Sequence, residues 1–211
     1  MYNKLLIESG GGIIATSQMA KQDDAVTINI GLGGTGIDCL KMLKKEVYSR
    51  LCPDNGANSV VPEYKHIKFL AVDTDKSSLD STKELNTIND TNDEFFDISS
   101  SDIHKFLSDI TKNKANHPEY SWLCTRDIKT NSQGLRIKDA KAGAGGVRQA
   151  GRILLIQKSR DFTTKFETLI KSACRDMTEP SININIFTGI GGGTGAGTFL
   201  DVCYLVRYVL S

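Results

Sequence analysis

Glycine-rich turns that join a strand to a helix constrain the fold of this chain more than any other feature. Fourteen of its 19 glycines fall in three windows, at residues 31–36, 143–151 and 189–197. A β-branched run at residues 26–30 (VTINI), apolar at alternate positions, leads into the first window, and apolar residues at helical spacing follow it. The same order recurs around the third window, after another strand predicted at residues 182–188. Strands that alternate with helices in this way predict a parallel α/β sheet.

Apolar spacing predicts further elements along the chain. Residues 67–72 (IKFLAV) have the composition of another buried strand, and residues 135–137 that of a short one. Between residues 146 and 177 apolar side chains recur at helical spacing, which predicts one long helix or a pair of helices. A further helix is predicted at residues 103–112. The alternation of strands and helices therefore extends over most of the chain.

Composition shifts suggest how the chain is divided. Residues 1–24 combine a short apolar start, three glycines and a polar stretch, which predicts a flexible N-terminal arm. Residues 25–211 are expected to form one domain. Within it, residues 80–140 give the weakest pattern and are interpreted as an insertion. The acidic residues at 84–102 are expected to form a solvated surface.

Charge and cysteine usage exclude several classes of function. The 26 basic and 25 acidic side chains give a formal net charge of +1, so we expect no direct nucleic-acid or membrane-surface partner. No apolar run is long enough to span a bilayer. The five cysteines lack the CxxC spacing of zinc or redox sites, and the three histidines do not cluster with carboxylates. Scattered thiols are typical of a reducing compartment, which predicts a cytoplasmic protein.

The first glycine window is a candidate phosphate-binding turn. Residues 31–36 (GLGGTG) match GxGxxG between a strand and a helix, where glycines let the backbone approach a phosphate at the helix N-terminus. In a dinucleotide-binding fold, Asp73 or Asp75 would hold a ribose, although both lie further along the chain than the usual spacing of about 20 residues. An NAD(P)-linked Rossmann oxidoreductase is therefore one hypothesis, and a purely structural glycine turn is another.

The third window strengthens the case for phosphate binding. Glycine fills six of the nine positions from 189 to 197, and each destabilises a regular element by about 0.5–1 kcal/mol relative to alanine. A run of backbone N–H groups around a di- or triphosphate, with the Thr194 hydroxyl as a further donor, would compensate for that cost. Because no window contains the lysine of GxxxxGK[ST], a P-loop NTPase is excluded. Two glycine loops suggest that the phosphates are held from both sides.

Four segments together resemble one family. Residues 191–197 (GGGTGAG) resemble the GGGTG[ST]G signature of the tubulin and FtsZ superfamily of GTPases, with Ala196 where serine or threonine is usual. Residues 31–36, 71–75 (AVDTD) and 143–152 (GAGGVRQAGR) are similar, in the same order, to the other phosphate loops of the FtsZ branch. The combination is most similar to the divergent bacterial tubulin-like proteins.

The resemblance implies a fold, an activity and partners. The fold would be the Rossmann-like parallel sheet of a tubulin/FtsZ-type GTPase domain, flanked by helices and incomplete at its C-terminal end. The cofactors would be GTP or GDP with Mg²⁺, and the full-length protein would self-associate head to tail into cytoskeletal filaments. In the family, the catalytic carboxylates come from a loop of the neighbouring subunit, expected here beyond Ser211. This chain alone is therefore expected to bind GTP weakly and not to hydrolyse it. A scaffold that keeps the fold without hydrolysis remains a further hypothesis.

The resemblance also implies which residues contact the phosphates and the metal. Those facing the phosphates would be Gly33, Gly34, Thr35 and Gly36 in the first loop and Gly192, Gly193, Thr194, Gly195, Ala196 and Gly197 in the last. The loop closing over the γ-phosphate would contain Gly143, Ala144, Gly145 and Gly146. Asp73, Thr74 and Asp75 would lie near the γ-phosphate, with Asp73 and Asp75 holding Mg²⁺ through water. Gly193→Val is expected to abolish GTP binding and leave the fold intact.

Three further residues match positions that contact the nucleoside. Gln149 and Arg152 match the family's ribose-contacting Glu and Arg, so Gln149 keeps hydrogen bonding without the charge. Asp38 matches an asparagine that contacts guanine. A carboxylate there could accept hydrogen bonds from N1–H and the N2 amino group of guanine, which adenine does not supply. The resemblance therefore predicts selectivity for guanine.

Overall fold

The described part of the chain alternates short strands with longer helices. The structure, a computed structural model, describes residues 25–51, 65–75, 85, 94–100, 103–123, 144 and 146–211. In chain order, its elements are β1 (Ala25–Leu32), α1 (Gly33–Leu51), β2 (Ile67–Asp73), β3 (Phe95–Asp97), α2 (Ile103–Lys112), two 3-10 turns (Lys114–Asn116 and Pro118–Tyr120), α3 (Arg148–Gln157), α4 (Ser159–Ala173), β4 (Ser181–Thr188) and α5 (Gly193–Leu210). The arm predicted at 1–24 and the strand predicted at 135–137 lie outside the described residues.

The strands form one parallel sheet in the order β3, β2, β1, β4. β1 is central, and its last residue, Leu32, lies opposite Val72 of β2 and Thr188 of β4. The carboxyl ends of these three strands therefore meet at one edge of the sheet, where α1 and α5 begin. The predicted Rossmann-like α/β fold is confirmed.

Each face of the sheet has its own apolar cluster. Alternate strand residues point to opposite faces, so that Ile28 and Leu70 are buried with side chains of α4 and α5. Phe69 and Ala71, on the other face, are buried with residues of α1. Because helices cover both faces, β1 and β2 are buried almost throughout, including the polar Thr27 and Asn29 that alternate with the apolar residues of β1. This explains why their sequences predict buried strands.

The predicted helices are confirmed. The pair predicted between 146 and 177 is α3 and α4, and the helix predicted at 103–112 is α2. Residues of α2 and of the segment after it, among them Leu107 and Tyr120, are buried in one cluster with Ile153 of α3. None of the described helices has both the length and the apolar character that a membrane span requires.

β3 lies in the segment interpreted as an insertion, and the sequence pattern does not predict it. Its three residues pair in parallel with the end of β2. Two backbone hydrogen bonds extend the pairing, from Ala71 N–H to the Glu94 carbonyl (2.7 Å) and from Ile98 N–H to the Asp73 carbonyl (2.9 Å). Part of the 80–140 segment thus belongs to the sheet, while the division of the chain into arm, domain and insertion stays a prediction.

The expectation that the acidic residues at 84–102 form a solvated surface is wrong for Glu94. Its carboxylate pairs with the buried Lys44 of α1, whose Nζ donates to Glu94 Oε2 (2.6 Å) and to the Leu85 carbonyl (2.8 Å). Burial raises the pKa of Glu94 to about 7, although the charge of Lys44 and its hydrogen bond oppose the increase. Sequence spacing gave no sign of this pair, because its members lie 50 positions apart.

Candidate functional site

The first and third glycine windows line one cleft at the carboxyl edge of the sheet. Its volume is about 100 Å³, and its lining comprises Leu32, Gly33, Gly34, Thr35, Gly189, Gly192, Gly193, Thr194 and Gly195. The two loops touch, since a Cβ added to Gly33 would lie 2.9 Å from the backbone N of Gly195. The structure therefore brings together the two loops that the sequence predicts to hold phosphates. The cleft suits a phosphate group, whereas a base and sugar would lie outside it.

A second hollow is larger but chemically less suited to a ligand. It has a volume of about 470 Å³ and lies between β3 and α4, away from the glycine loops. It is more open to solvent, and Phe95 and Phe96 line it together with charged residues of both signs. It has no set of converging donors like the backbone N–H groups of the glycine loops. We therefore place the candidate site at the cleft.

Two helices begin at the cleft, α1 at Gly33 and α5 at Gly193. Neither has an acidic residue in its first turn, and Gly192, the N-cap of α5, provides no capping side chain. The first N–H groups of a helix lack intrahelical partners and carry the positive end of its dipole, which favours an anion. Gly33 itself has φ +67°, a left-handed conformation that side chains disfavour. The backbone at this edge is thus arranged to bind negative charge.

Several glycines of the third window allow close contact between helices. A Cβ added to Gly193 would lie 2.7 Å from the Val147 N and 2.9 Å from the Ala144 Cβ, and one added to Gly197 would collide with the Arg148 carbonyl. Gly151 of α3 likewise approaches the backbone of Gly193. The middle and third windows therefore pack directly against each other. Packing therefore requires glycine at positions 193 and 197 whether or not a ligand is bound, and their contact with phosphates stays a prediction.

Three other glycines have open space beside them. A Cβ added to Gly34, Gly191 or Gly192 would meet nothing within 4 Å. Packing does not require glycine at these three positions, and two of them, Gly34 and Gly192, line the cleft. Side chains there would occupy the space available to a bound group. The cleft is therefore open to a bound group at Gly34 and Gly192.

A hydroxyl network joins three loops behind the cleft. The Thr74 and Thr194 hydroxyls are 2.7 Å apart and buried, and the Ala144 N–H donates to Thr74 Oγ1 (2.8 Å). Thr74 follows β2, Ala144 belongs to the middle window and Thr194 lies in the first turn of α5. Three residues predicted for the site from separate parts of the sequence are therefore in contact. Thr198, which was not predicted, donates its hydroxyl to the Thr194 carbonyl (2.8 Å) and supports that turn.

Asp73 stabilises the loop after β2. Its Oδ1 accepts hydrogen bonds from the backbone N–H groups of Thr74 (2.7 Å) and Asp75 (3.3 Å). Burial raises the pKa of Asp73, as does the charge of Asp75 to a smaller degree, while hydrogen bonds from Thr74, Asp75 and Thr194 act in the opposite direction. The Asp73 and Asp75 carboxylates lie two positions apart, and such a pair could hold a Mg²⁺ through its water shell. The described residues contain no group of three potential metal ligands, so a direct protein cage is not present among them.

The residues predicted to contact the nucleoside have other partners. Arg152 makes two hydrogen bonds to Asp201 of α5 (2.8 and 3.1 Å), and its guanidinium lies 4.3 Å from the Trp122 ring centroid. Contact with a ribose would require it to exchange Asp201 for the sugar. Asp38 is exposed on α1, with Lys41 Nζ at 3.5 Å. Gln149 is half-buried on α3. The ribose and base contacts therefore stay predictions.

The remaining predicted residues are only partly described. Gly143 and Gly145 lie outside the described residues, whereas Gly146 is exposed and has φ +80°. Thr35 lies beside Gly189, where an added Cβ would be 2.8 Å from the Thr35 hydroxyl. Thr188 was not predicted to belong to the site, and its buried Oγ1 has no hydrogen-bond partner within the described ranges. The sequence feature that could have indicated Thr188 is its position at the end of the predicted strand, directly before the third window.

A parallel sheet with a glycine-lined, anion-favouring cleft at its carboxyl edge defines a Rossmann-like α/β protein. The sequence profile of a family described as tubulin-like matches residues 28–211. Because this match covers most of the chain, the chain belongs to the tubulin-like family. The resemblance found in the sequence is therefore confirmed. No curated protein and no solved structure gives a significant match.

Proposed function

We propose that the cleft binds the phosphates of GTP or GDP together with Mg²⁺. The observation that carries this proposal is the convergence of two glycine loops and two helix N-termini on one cleft, in which Gly34 and Gly192 leave open space. Membership of the tubulin-like family supports guanine as the base. An NAD(P)-linked oxidoreductase has less support, because a dinucleotide-binding fold uses one glycine loop for the phosphates, whereas two glycine loops line this cleft.

Each part of the site has a distinct role in this proposal. Backbone N–H groups at the starts of α1 and α5 bind phosphate oxygens. Asp73 and Asp75 hold the metal through water, and Asp38 accepts hydrogen bonds from guanine. Mg²⁺, when bound, would neutralise part of the phosphate charge. The Thr74 and Thr194 pair keeps the loop after β2 in contact with the start of α5.

Assembly and hydrolysis are proposals that depend on the family. We propose that the full-length protein self-associates head to tail into filaments and hydrolyses GTP only when assembled. A non-hydrolysing scaffold is the alternative, and the packing role of Gly193 and Gly197 is compatible with it, since such glycines would be needed without any ligand. Location in the cytoplasm likewise remains a prediction.

Gly192→Val should separate binding from folding. The new side chain would enter the cleft without a backbone clash, so we expect GTP affinity in the presence of Mg²⁺ to fall by about 100-fold or more while the circular dichroism spectrum stays unchanged. Isothermal titration calorimetry at high protein concentration measures the affinity, with NADH as a competitor.

Gly191→Val is the matched control for this experiment. Its Cβ also meets nothing within 4 Å, but Gly191 does not line the cleft, so we expect a loss of affinity below about 5-fold. Equal affinity of Gly192→Val and the unaltered chain would contradict the assignment of the cleft. Preference of the unaltered chain for NADH over GTP would contradict the proposed ligand.

A further inference from the structure

We infer that Arg148 binds the terminal phosphate of a nucleoside triphosphate and thereby lets the site distinguish a triphosphate from a diphosphate. This inference rests on the proposed function. It concerns a residue that lies within the middle glycine window but to which the family resemblance gives no role.

The backbone of Arg148 is fixed beside the cleft. Arg148 is the first residue of α3, and the preceding residue, Val147, contacts Gly193, which lines the cleft. The Arg148 carbonyl packs against Gly197 of α5. These glycine contacts hold the start of α3 against the start of α5. Backbone packing therefore fixes the position of the Arg148 Cα, from which the side chain extends.

The side chain of Arg148 is directed to the loop between β4 and α5. Its Nη2 donates a hydrogen bond to the Ile190 carbonyl (3.1 Å), and this bond is exposed to solvent. Ile190 lies between residues of the cleft lining, since Gly189 precedes it and Gly192 follows. Ile190 is 83% exposed, so the loop projects into solvent with the guanidinium beside it. A guanidinium has five N–H donors, and this bond uses only one nitrogen.

The positive charge of the guanidinium favours contact with a phosphate. None of the nine residues that line the cleft is basic, whereas Asp73 and Asp75 add negative charge nearby. A triphosphate carries more negative charge than a diphosphate, and it extends further from the nucleoside. The planar fork of an arginine can bind two phosphate oxygens at once. Arg148 donates a hydrogen bond to the loop between β4 and α5, and it would exchange the Ile190 carbonyl for the terminal phosphate.

A purely structural role for Arg148 makes a different prediction. If the guanidinium only restrained the loop through Ile190, its loss would weaken GTP and GDP binding by the same factor. If it binds the terminal phosphate, its loss would weaken GTP binding selectively. The ratio of the two affinities therefore separates the two roles.

The test compares Arg148→Gln with Arg160→Gln in the 211-residue chain. Arg160 is an exposed arginine on α4 and serves as the matched control. For Arg148→Gln we expect GTP affinity with Mg²⁺ to fall by about 10- to 100-fold and GDP affinity to change by less than about 3-fold. Arg148→Lys should recover only part of the loss, because lysine keeps the charge without the fork. Arg160→Gln should leave both affinities unchanged.

The alternatives are distinguishable by titration calorimetry, with thermal unfolding to confirm that each variant is folded. Equal losses for GTP and GDP, or no loss for GTP, would overturn the role of Arg148 while the unaltered chain still binds nucleotide. Absence of GTP and GDP binding by the unaltered, folded chain would instead overturn the proposed function and the inference with it.

Discussion

Valine in place of Gly193 is expected to lower the free energy of unfolding by about 3 kcal/mol or more, whereas valine at Gly192 changes it by less than about 1 kcal/mol. At Gly193 the added Cβ would lie 2.7 Å from the Val147 N and 2.9 Å from the Ala144 Cβ, so α3 would have to move away from α5. At Gly192 it would meet nothing within 4 Å. Urea unfolding followed by circular dichroism measures both values.

This result would correct the expectation drawn from the sequence, in which Gly193→Val removes GTP binding and leaves the fold intact. Loss of binding by Gly193→Val would say little about the ligand, because the variant would lose the contact between α3 and α5 as well. Stability of Gly193→Val within about 1 kcal/mol of the unaltered chain would contradict the packing role of this glycine. The neighbouring Gly192 is thus the informative position for binding.

The sequence was sufficient to predict the fold because its elements carry strong local signals. The strands predicted at 26–30, 67–72 and 182–188 differ from β1, β2 and β4 by one or two residues at an end. Each is rich in β-branched or apolar residues and is followed closely by glycine or aspartate. β3 has only three residues in a polar surrounding, and its strand character comes from pairing with β2. Such pairing is not local, so no periodicity could reveal it.

The sequence was sufficient to predict which loops form the candidate site, but not the role of each residue within those loops. The order of the motifs along the chain was sufficient to predict that residues 31–36 and 189–197 lie at one site, and residues of both segments line one cleft. The sequence does not distinguish Gly192 from Gly193. Packing requires glycine at position 193, whereas position 192 leaves space for a ligand. Arg152 likewise matches a ribose-contacting position, but its partner Asp201 lies 49 residues away and only the fold brings the two together. Contacts between distant segments decide these roles.

Lys44→Met is expected to lower the free energy of unfolding at pH 8 by about 3–5 kcal/mol, because it leaves the buried carboxylate of Glu94 without its cation. The side chain of Lys44 is only 4% exposed, and its Nζ lies 5.7 Å from the Phe69 ring centroid. Methionine keeps the apolar contacts of the lysine stem, so the loss measures the charge and its hydrogen bonds. Lys171→Met is the control, since the Lys171 pair with Glu167 is exposed and should contribute less than about 1 kcal/mol.

The loss in Lys44→Met should be smaller at pH 5, because a protonated Glu94 needs no cation. In the folded chain, burial raises the pKa of Glu94 from 4.5 to about 7, against the attraction of Lys44 and Lys68.

A carboxyl whose pKa is raised by folding stabilises the fold fully below pH 4.5 and loses that contribution as the pH rises through 7. The free energy of unfolding of the unaltered chain, minus that of Glu94→Gln, should therefore fall by about 3 kcal/mol between pH 4.5 and pH 8. A difference that stays constant over this range would show that Glu94 does not titrate near 7. Lys44→Met combined with Glu94→Gln should recover part of the stability at pH 8, since neither charge then remains buried.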